Sequence, residues 1–220
     1  MPGTLYVVST PIGNLEDITF RAVETLKAVD LIAAEDTRHT KILLDRYDIK
    51  TRTTSYFEYN KVQKTDYLLK VLQEGKSVAL VSDAGTPGIS DPGYRIIRMC
   101  LDNNILVVPI PGPSALLAAL VASGKPTDKF TFEGFLSNKT QKRKNQLGKL
   151  KEEGRTVVLY ESPHRIIKFL EDLLEVYGDV DIVLARELTK KFEEVRREKA
   201  SASLEHFKAT KPRGEFIVII

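Results

Sequence analysis

A single cysteine, Cys100, in a chain of 220 residues leaves no partner for an intramolecular disulfide. The protein is therefore no stapled scaffold, and a reducing compartment, the cytoplasm, is the expected address. His39, His164 and His206 lie far apart and have one thiol to help them, so no familiar metal-ligand spacing exists and no metal is expected. Long apolar runs are also missing. The longest, around Ala115 to Ala122, is too short to cross a bilayer, and MPGTLYVVSTPIGN has no basic stretch leading into an extended apolar core. No membrane role is expected. Nor is there a large excess of one charge: 33 Lys and Arg against 30 Asp and Glu give +3 and a sequence pI near 8.8. That balance gives mild attraction to polyanions and does not by itself identify RNA. Internal repeats and low-complexity segments are absent.

What is present is 42% hydrophobic residues, enough for sizeable buried cores. The first half alternates short β-branched runs with helical patterns: LYVVS, Phe20 to Ala28, LIAAE, Thr37 to Tyr47, Lys61 to Glu74, SVALVS, Tyr94 to Leu101, ILVVPI. This alternation predicts βαβ units and a mainly parallel sheet, and the lack of polar alternation predicts central strands covered on both faces. Pro109, Pro111, Gly112 and Pro113 form the densest group of chain breakers, which sets expected domains of 1–111 and 112–220. The second half offers TFEGFL, a basic helix from Gln141 to Glu153, TVVLYES, a helix from Ile166 to Tyr177, DIVLARE, EVRREKAS, a short helix near Leu204 to Phe207, and EFIVII. DIVLARE and EVRREKAS have no helix between them, so antiparallel pairing in a mixed α+β sheet is expected.

Loops at strand exits carry the candidate chemistry. Ser9-Thr10-Pro11-Ile12-Gly13-Asn14 follows the first strand, where open α/β sheets place ligand loops, yet it lacks both GxGxxG and the lysine of a P-loop. By shape alone it is equally an ordinary turn. Ser82 to Gly93 packs three glycines, two prolines and two aspartates into twelve residues. Glycine permits close backbone approach and proline stiffens, so the stretch Asp83 to Ile89 suits a ligand, with Asp91 expected to cap the next helix and Pro92 to open it. Ala34-Glu35-Asp36-Thr37-Arg38 could orient a hydroxyl, although capping is the simpler role for Asp36. Glu161-Ser162-Pro163-His164-Arg165 and Arg186-Glu187-Leu188-Thr189-Lys190 end two strands of the second half. If the two sheets face each other, these charged exits converge on a cleft. Lys139, Lys142, Arg143, Lys144, Lys149, Lys151 and Arg155 form a local basic run that is either a solvated helix face or a phosphate-binding surface.

Read in order, STPIGNLEDITFRA, AEDTR, VSDAGTPGISDPG, PGPSAL, FEGFL, ESPHR, RELTK and GEF resemble the ribosomal RNA small subunit methyltransferase I family, a branch of the tetrapyrrole methylases. The likeness runs over nearly the whole chain. It implies the two-domain class III methyltransferase fold, S-adenosyl-L-methionine as cofactor in a cleft between the domains, small-subunit (16S) ribosomal RNA as substrate with a cytidine 2′-hydroxyl as acceptor, and a homodimer. Carried over residue by residue, it implies cofactor contacts at Pro11, Asp83, Ala84, Gly85, Thr86, Ile89, Ser114, Ala115, Tyr160, Arg186, Gly214 and Glu215. Thr86 stands where cobalamin-type and porphyrin-type members carry an acid.

Two departures stand out. Members commonly read Gly-Phe-Leu-Pro where this chain has Ser137 after Leu136, which is expected to loosen that loop. Many also continue beyond the final strand into a small helical segment, whereas this sequence ends at Ile220.

The sulfonium already activates the methyl group, so alignment and exclusion of water are the main demands, with a base or cation for the weakly acidic hydroxyl. Glu187 is the candidate base and Lys190 the candidate cation, a pairing that needs a turn rather than extended chain between them. Glu35 and Glu161 are competing bases. Arg38, Arg143, Lys144 and Arg165 are candidates for holding RNA, and Arg186 could also hold phosphate. A small-molecule tetrapyrrole methyltransferase and a non-catalytic RNA-binding module of the same fold are the alternative readings.

Overall fold

The computed structural model describes residues 1–220, which divide into two compact units, Met1–Ser114 and Ala115–Ile220. The break follows the proline cluster.

In the first unit, strands β1 (Thr4–Val8), β2 (Leu31–Ala34), β3 (Thr53–Ser55), β4 (Val78–Val81) and β5 (Leu106–Ile110) form one sheet in the order β3-β2-β4-β1-β5. Every pairing in it is parallel. Helices α1 (Phe20–Ala28), α2 (Thr37–Arg46), α3 (Lys61–Gln73) and α4 (Tyr94–Asp102) supply the crossovers. Successive strand residues point to opposite faces, so Leu5, Leu31, Ala33 and Leu80 pack with Leu68, Leu72, Ile96 and Cys100 of α3 and α4. Val8, Ile32, Ala34 and Val81 pack with Ala22, Leu26 and Leu44 of α1 and α2 on the other face. All residues of β2 and β4 are buried as a consequence.

Two expectations need correction, and one strand had no expectation at all. ILVVPI is an edge strand, with Leu106 and Pro109 exposed. An edge is where a proline, which has no N–H to donate, costs least. The short edge strand β3 has no apolar run to announce it. Asp91 and Pro92 do not open α4 either: its N-cap is Gly93. A Cβ there would come within 2.8 Å of the Gly88 amide nitrogen, so the loop closes on its own backbone.

The second unit opens with α5 (Ala115–Ser123) and builds a mixed sheet from β6 (Phe130–Phe135), β7 (Thr156–Glu161), β8 (Asp181–Arg186), β9 (Glu194–Lys199) and β10 (Phe216–Ile219). Its order is β6-β7-β10-β8-β9. Only β6 and β7 run parallel; β8 and β9 pair antiparallel, as two strands joined without a helix must. Helices α6 (Thr140–Glu153), α7 (Ile166–Tyr177) and α8 (Ala200–Ala209) cover one face, burying Leu147, Leu150, Phe169, Leu173 and Phe207 against Val157, Leu159, Leu184 and Val218. No helix is long and apolar enough to cross a membrane.

Candidate active site

In the first unit the strand-exit loops are laced together at the carboxyl end of the parallel sheet. Thr10 and Gly85 exchange both backbone hydrogen bonds, at 2.9 and 3.0 Å, and the Thr10 hydroxyl donates to the Ser82 carbonyl at 3.1 Å. Ser9 Oγ meets Thr86 Oγ1 at 2.8 Å. Thr86 therefore ties two loops, a neutral job that an acid at this position would not do the same way. Pro11 is buried beside this lacing, while Ala84 and Ile89 are exposed on the second loop. Gly85 has φ +78°, a region that favours glycine, and a Cβ on it would find only Ile12 at 3.7 Å and the Pro113 carbonyl at 3.9 Å. The Gly85 backbone thus packs at ordinary contact distance where three loops meet.

The third exit is stitched to the second through carboxylates. Asp83 Oδ1 accepts from the Asp36 amide at 3.0 Å, and Glu35 Oε2 accepts from the Asp83 amide at 3.3 Å. Desolvation pushes the Glu35 carboxyl up; the Asp83 amide opposes this, and the charges of Asp83 and Asp36 reinforce it. Asp36 caps α2, accepting from the Arg38 amide at 2.8 Å, and the Arg38 guanidinium returns to it in a fork at 3.1 and 2.8 Å. That pairing holds Asp36 far below the usual carboxylate range. Arg38 is otherwise in solvent, its side chain 89% exposed.

In the second unit the segment after β8 turns. Glu187 and Thr189 have positive φ, 51° and 67°, and the Lys190 amide donates to the Glu187 carbonyl at 3.0 Å. Lys190 Nζ consequently reaches Glu187 Oε1 at 3.1 Å. Thr189's amide donates to Glu193 Oε2 at 2.5 Å, closing the loop. Gly214, at φ +79°, lies against this turn: a Cβ there would overlap the Glu187 carboxylate. Glycine at 214 leaves the space that the Glu187 side chain occupies. Arg186 is committed to Glu194, Nε to Oε2 at 2.5 Å, and to the Arg213 carbonyl at 3.4 Å. Burial alone would raise the Glu194 carboxyl, but hydrogen bonds from Arg186 and Arg196 outweigh it and hold that carboxyl low. Tyr160 stands edge-on between Phe132 at 4.9 Å and Phe135 at 5.7 Å. Ala115 opens α5, directly after Ser114, and Glu215 is exposed just before β10.

Two expected site residues are structural instead. Arg143 is 1% exposed. Its Nε donates to Asp172 Oδ2 at 2.7 Å and its Nη1 to the Ser137 carbonyl at 3.2 Å. A guanidinium so enclosed cannot meet RNA phosphate, because α6 turns Arg143, Leu147 and Leu150 inward together. Lys144 is partly covered and pairs with Glu175. Glu161 is likewise 1% exposed. Its Oε1 accepts from the Ser162 amide at 2.8 Å and faces Arg165 Nε at 3.1 Å. Oε2 has no hydrogen-bond partner, and burial pushes the carboxyl up despite that amide and the nearby guanidiniums. Enclosure removes Glu161 as a base for a substrate hydroxyl. Arg165 Nη2 donates to the Leu136 carbonyl at 2.6 Å.

The loop carrying Ser137 is not loosened. Its amide donates to Gln146 Oε1 at 2.9 Å, a bond that proline would not make, and its hydroxyl accepts from the Lys139 amide at 3.2 Å.

Comparison with known proteins gives a consistent result. The family described as Tetrapyrrole (Corrin/Porphyrin) Methylases matches residues 4–203. A ribosomal RNA small subunit methyltransferase I of Synechocystis sp. is 52% identical over 219 residues, 99% of this chain and 78% of its own length. The protein of the same description from Thermotoga maritima is 49% identical over 218 residues, covering 99% and 98% of the two chains. A uroporphyrin-III C-methyl transferase from Thermus thermophilus, complexed with S-adenyl homocysteine, has the same fold: TM-score 0.69, 17% identity, 99% of this chain and 97% of that one.

Proposed function

Because the chain belongs to the tetrapyrrole methylases, and within them to the ribosomal RNA small subunit methyltransferase I family, we propose that it moves the methyl group of S-adenosyl-L-methionine to a cytidine 2′-hydroxyl in small-subunit (16S) ribosomal RNA. The observation that carries this reading is identity of about half the residues over 99% of the chain with proteins so described. Cytoplasmic action as a homodimer belongs to the same reading.

The residues present suit the cofactor. Around Gly85 they bring together the Ser9 and Thr86 hydroxyls and two carboxylates at Glu35 and Asp83. Such a set matches a nucleoside with hydroxyls and an attached cationic amino acid. In the first unit Pro11, Asp83 to Thr86, Ile89 and Ser114 would hold it; in the second, Ala115, Tyr160, Arg186, Gly214 and Glu215 would contribute. Bound there, the cofactor supplies an activated methyl group on sulfonium.

The protein's own part is proton handling and alignment. Glu187 accepts the ribose hydroxyl proton as the oxygen becomes nucleophilic, and the Lys190 ammonium moves from Glu187 toward that oxygen to steady its developing charge. Their present contact at 3.1 Å sets both groups at one point before substrate arrives. Arg38 in the first unit and Arg165 in the second are the candidates for holding RNA phosphate.

The test supplies labelled S-adenosyl-L-methionine with small subunits lacking the modification, with naked ribosomal RNA and with uroporphyrinogen. Label in RNA and none in the tetrapyrrole is expected. Label in the tetrapyrrole alone would select the small-molecule reading, and failure to bind the cofactor in calorimetry would select the non-catalytic module.

A further inference from the structure

The loop after β3 is built to hold two aromatic rings in water. Tyr56 anchors it from below: its amide donates to the Ala34 carbonyl at 2.7 Å, and its buried hydroxyl meets Thr65 Oγ1 at 3.2 Å. Asn60 closes it from above. The Asn60 Oδ1 accepts from the Phe57 amide at 2.8 Å, its Nδ2 reaches the Ser55 carbonyl at 3.4 Å, and its own amide donates to the Phe57 carbonyl at 3.0 Å. On this pinned turn the rings of Phe57 and Tyr59 stand 6.4 Å apart at 65°. Tyr59 is 96% exposed and Phe57 37%.

Tyr59 need not be aromatic for the fold. A Tyr side chain almost wholly in water covers no core, and the polar bonds of Asn60 would hold the turn with any residue at 59. Two lysines follow the rings in the chain: Lys61, which pairs with Glu58, and Lys64, whose Nζ lies 5.3 Å from the centre of Tyr67 and donates to Thr54 Oγ1 at 2.8 Å. The turn also sits at the carboxyl end of β3, the neighbour of β2, whose own carboxyl end carries Glu35 and Arg38. It shares the end of the sheet where the laced loops lie.

We propose that Phe57 and Tyr59 form a stacking platform for unpaired RNA bases flanking the nucleotide that is methylated. The proposal rests on the ribosomal RNA reading above. Every base has a π-face and stacks on an exposed ring without regard to sequence, while nearby lysines meet the phosphates between bases. Interleaved aromatics and cations fit that ligand better than an apolar protein surface, which would accept leucine as readily as tyrosine.

The test is the KM for small subunits lacking the modification, with cofactor affinity measured alongside. Tyr59→Ala and Phe57→Ala are each expected to raise KM about 10-fold, leaving turnover and cofactor affinity unchanged. Tyr59→Phe should stay near wild type, and Tyr59→Leu should behave like the alanine variant. The platform is overturned if the double alanine variant keeps the wild-type KM, or if leucine restores it, which would mark contact with a ribosomal protein. Absence of any transfer by the wild-type protein would instead sink the ribosomal RNA reading and the platform with it.

Discussion

At the scale of single residues the proposed chemistry rests on one carboxylate held in an uncommon backbone conformation. Glu187 has φ +51° and lies over Gly214, so two positions far apart in sequence fix one side chain. Glu187→Gln keeps size and hydrogen bonding but loses the charge, and should lower turnover by about 10²-fold with cofactor affinity little changed. Gly214→Ala should reproduce part of that loss by pushing Glu187 aside, and it adds strain because φ at 214 is +79°. Single-turnover methylation of both variants at saturating cofactor measures this. A wild-type rate for Glu187→Gln would move the base to Glu35.

Glu161 makes a different kind of prediction. Its folded-state pKa is raised by burial, so its favourable contribution to stability is complete below the ordinary value of 4.5 and is lost as pH rises through the folded value. Glu161→Gln should therefore flatten the fall in stability just above pH 4.5 without changing the substrate chemistry. Urea denaturation at several pH values would show it. An unaltered pH profile would mean that Arg165 compensates the charge fully.

At the scale of elements, α6 is fastened to α7 by Arg143 and Asp172, both buried. Removing one partner strands the other charge, and Asp172→Ala should cost about 3–5 kcal/mol in denaturant unfolding. A loss below 1 kcal/mol, the range of an exposed pair, would mean that the pair is well solvated. RNA affinity, if α6 contributes, comes from Lys139, Lys142 and Lys149, which are exposed. Their joint replacement by alanine should flatten the salt dependence of RNA binding without destabilising the protein. An unchanged slope would leave this helix face merely solvated.

Why Arg143 misled is plain at this scale. Basic residues in a helix read as one surface run, and only Asp172, twenty-nine residues away, shows which of them turns inward. The helices themselves were legible because their apolar spacing is local: the patterns at Phe20 to Ala28 and Ile166 to Tyr177 match α1 and α7 end to end. β3 escaped because three residues of Thr and Ser at an edge need no apolar face. The turn at Glu187 could be argued only from what the chemistry would require. The lacing of Ser9 to Thr86 and of Glu35 to Asp83 joins loops dozens of residues apart, and no local pattern announces such bonds.

At the scale of the whole molecule, the two units have the sheets that the sequence order implied, parallel in the first and mixed in the second. The family likeness extends through both, from residue 4 to 203. Fold alone does not select the acceptor, since proteins described as uroporphyrin-III methyltransferases share it at 17% identity. The acceptor is what must be measured. Small subunits lacking the modification, incubated with this protein and S-adenosyl-L-methionine, should on digestion to nucleosides and mass spectrometry yield 2′-O-methylcytidine that is absent without enzyme. Methyl on a cytosine base, or RNA that stays unmodified while the protein binds cofactor, would contradict it.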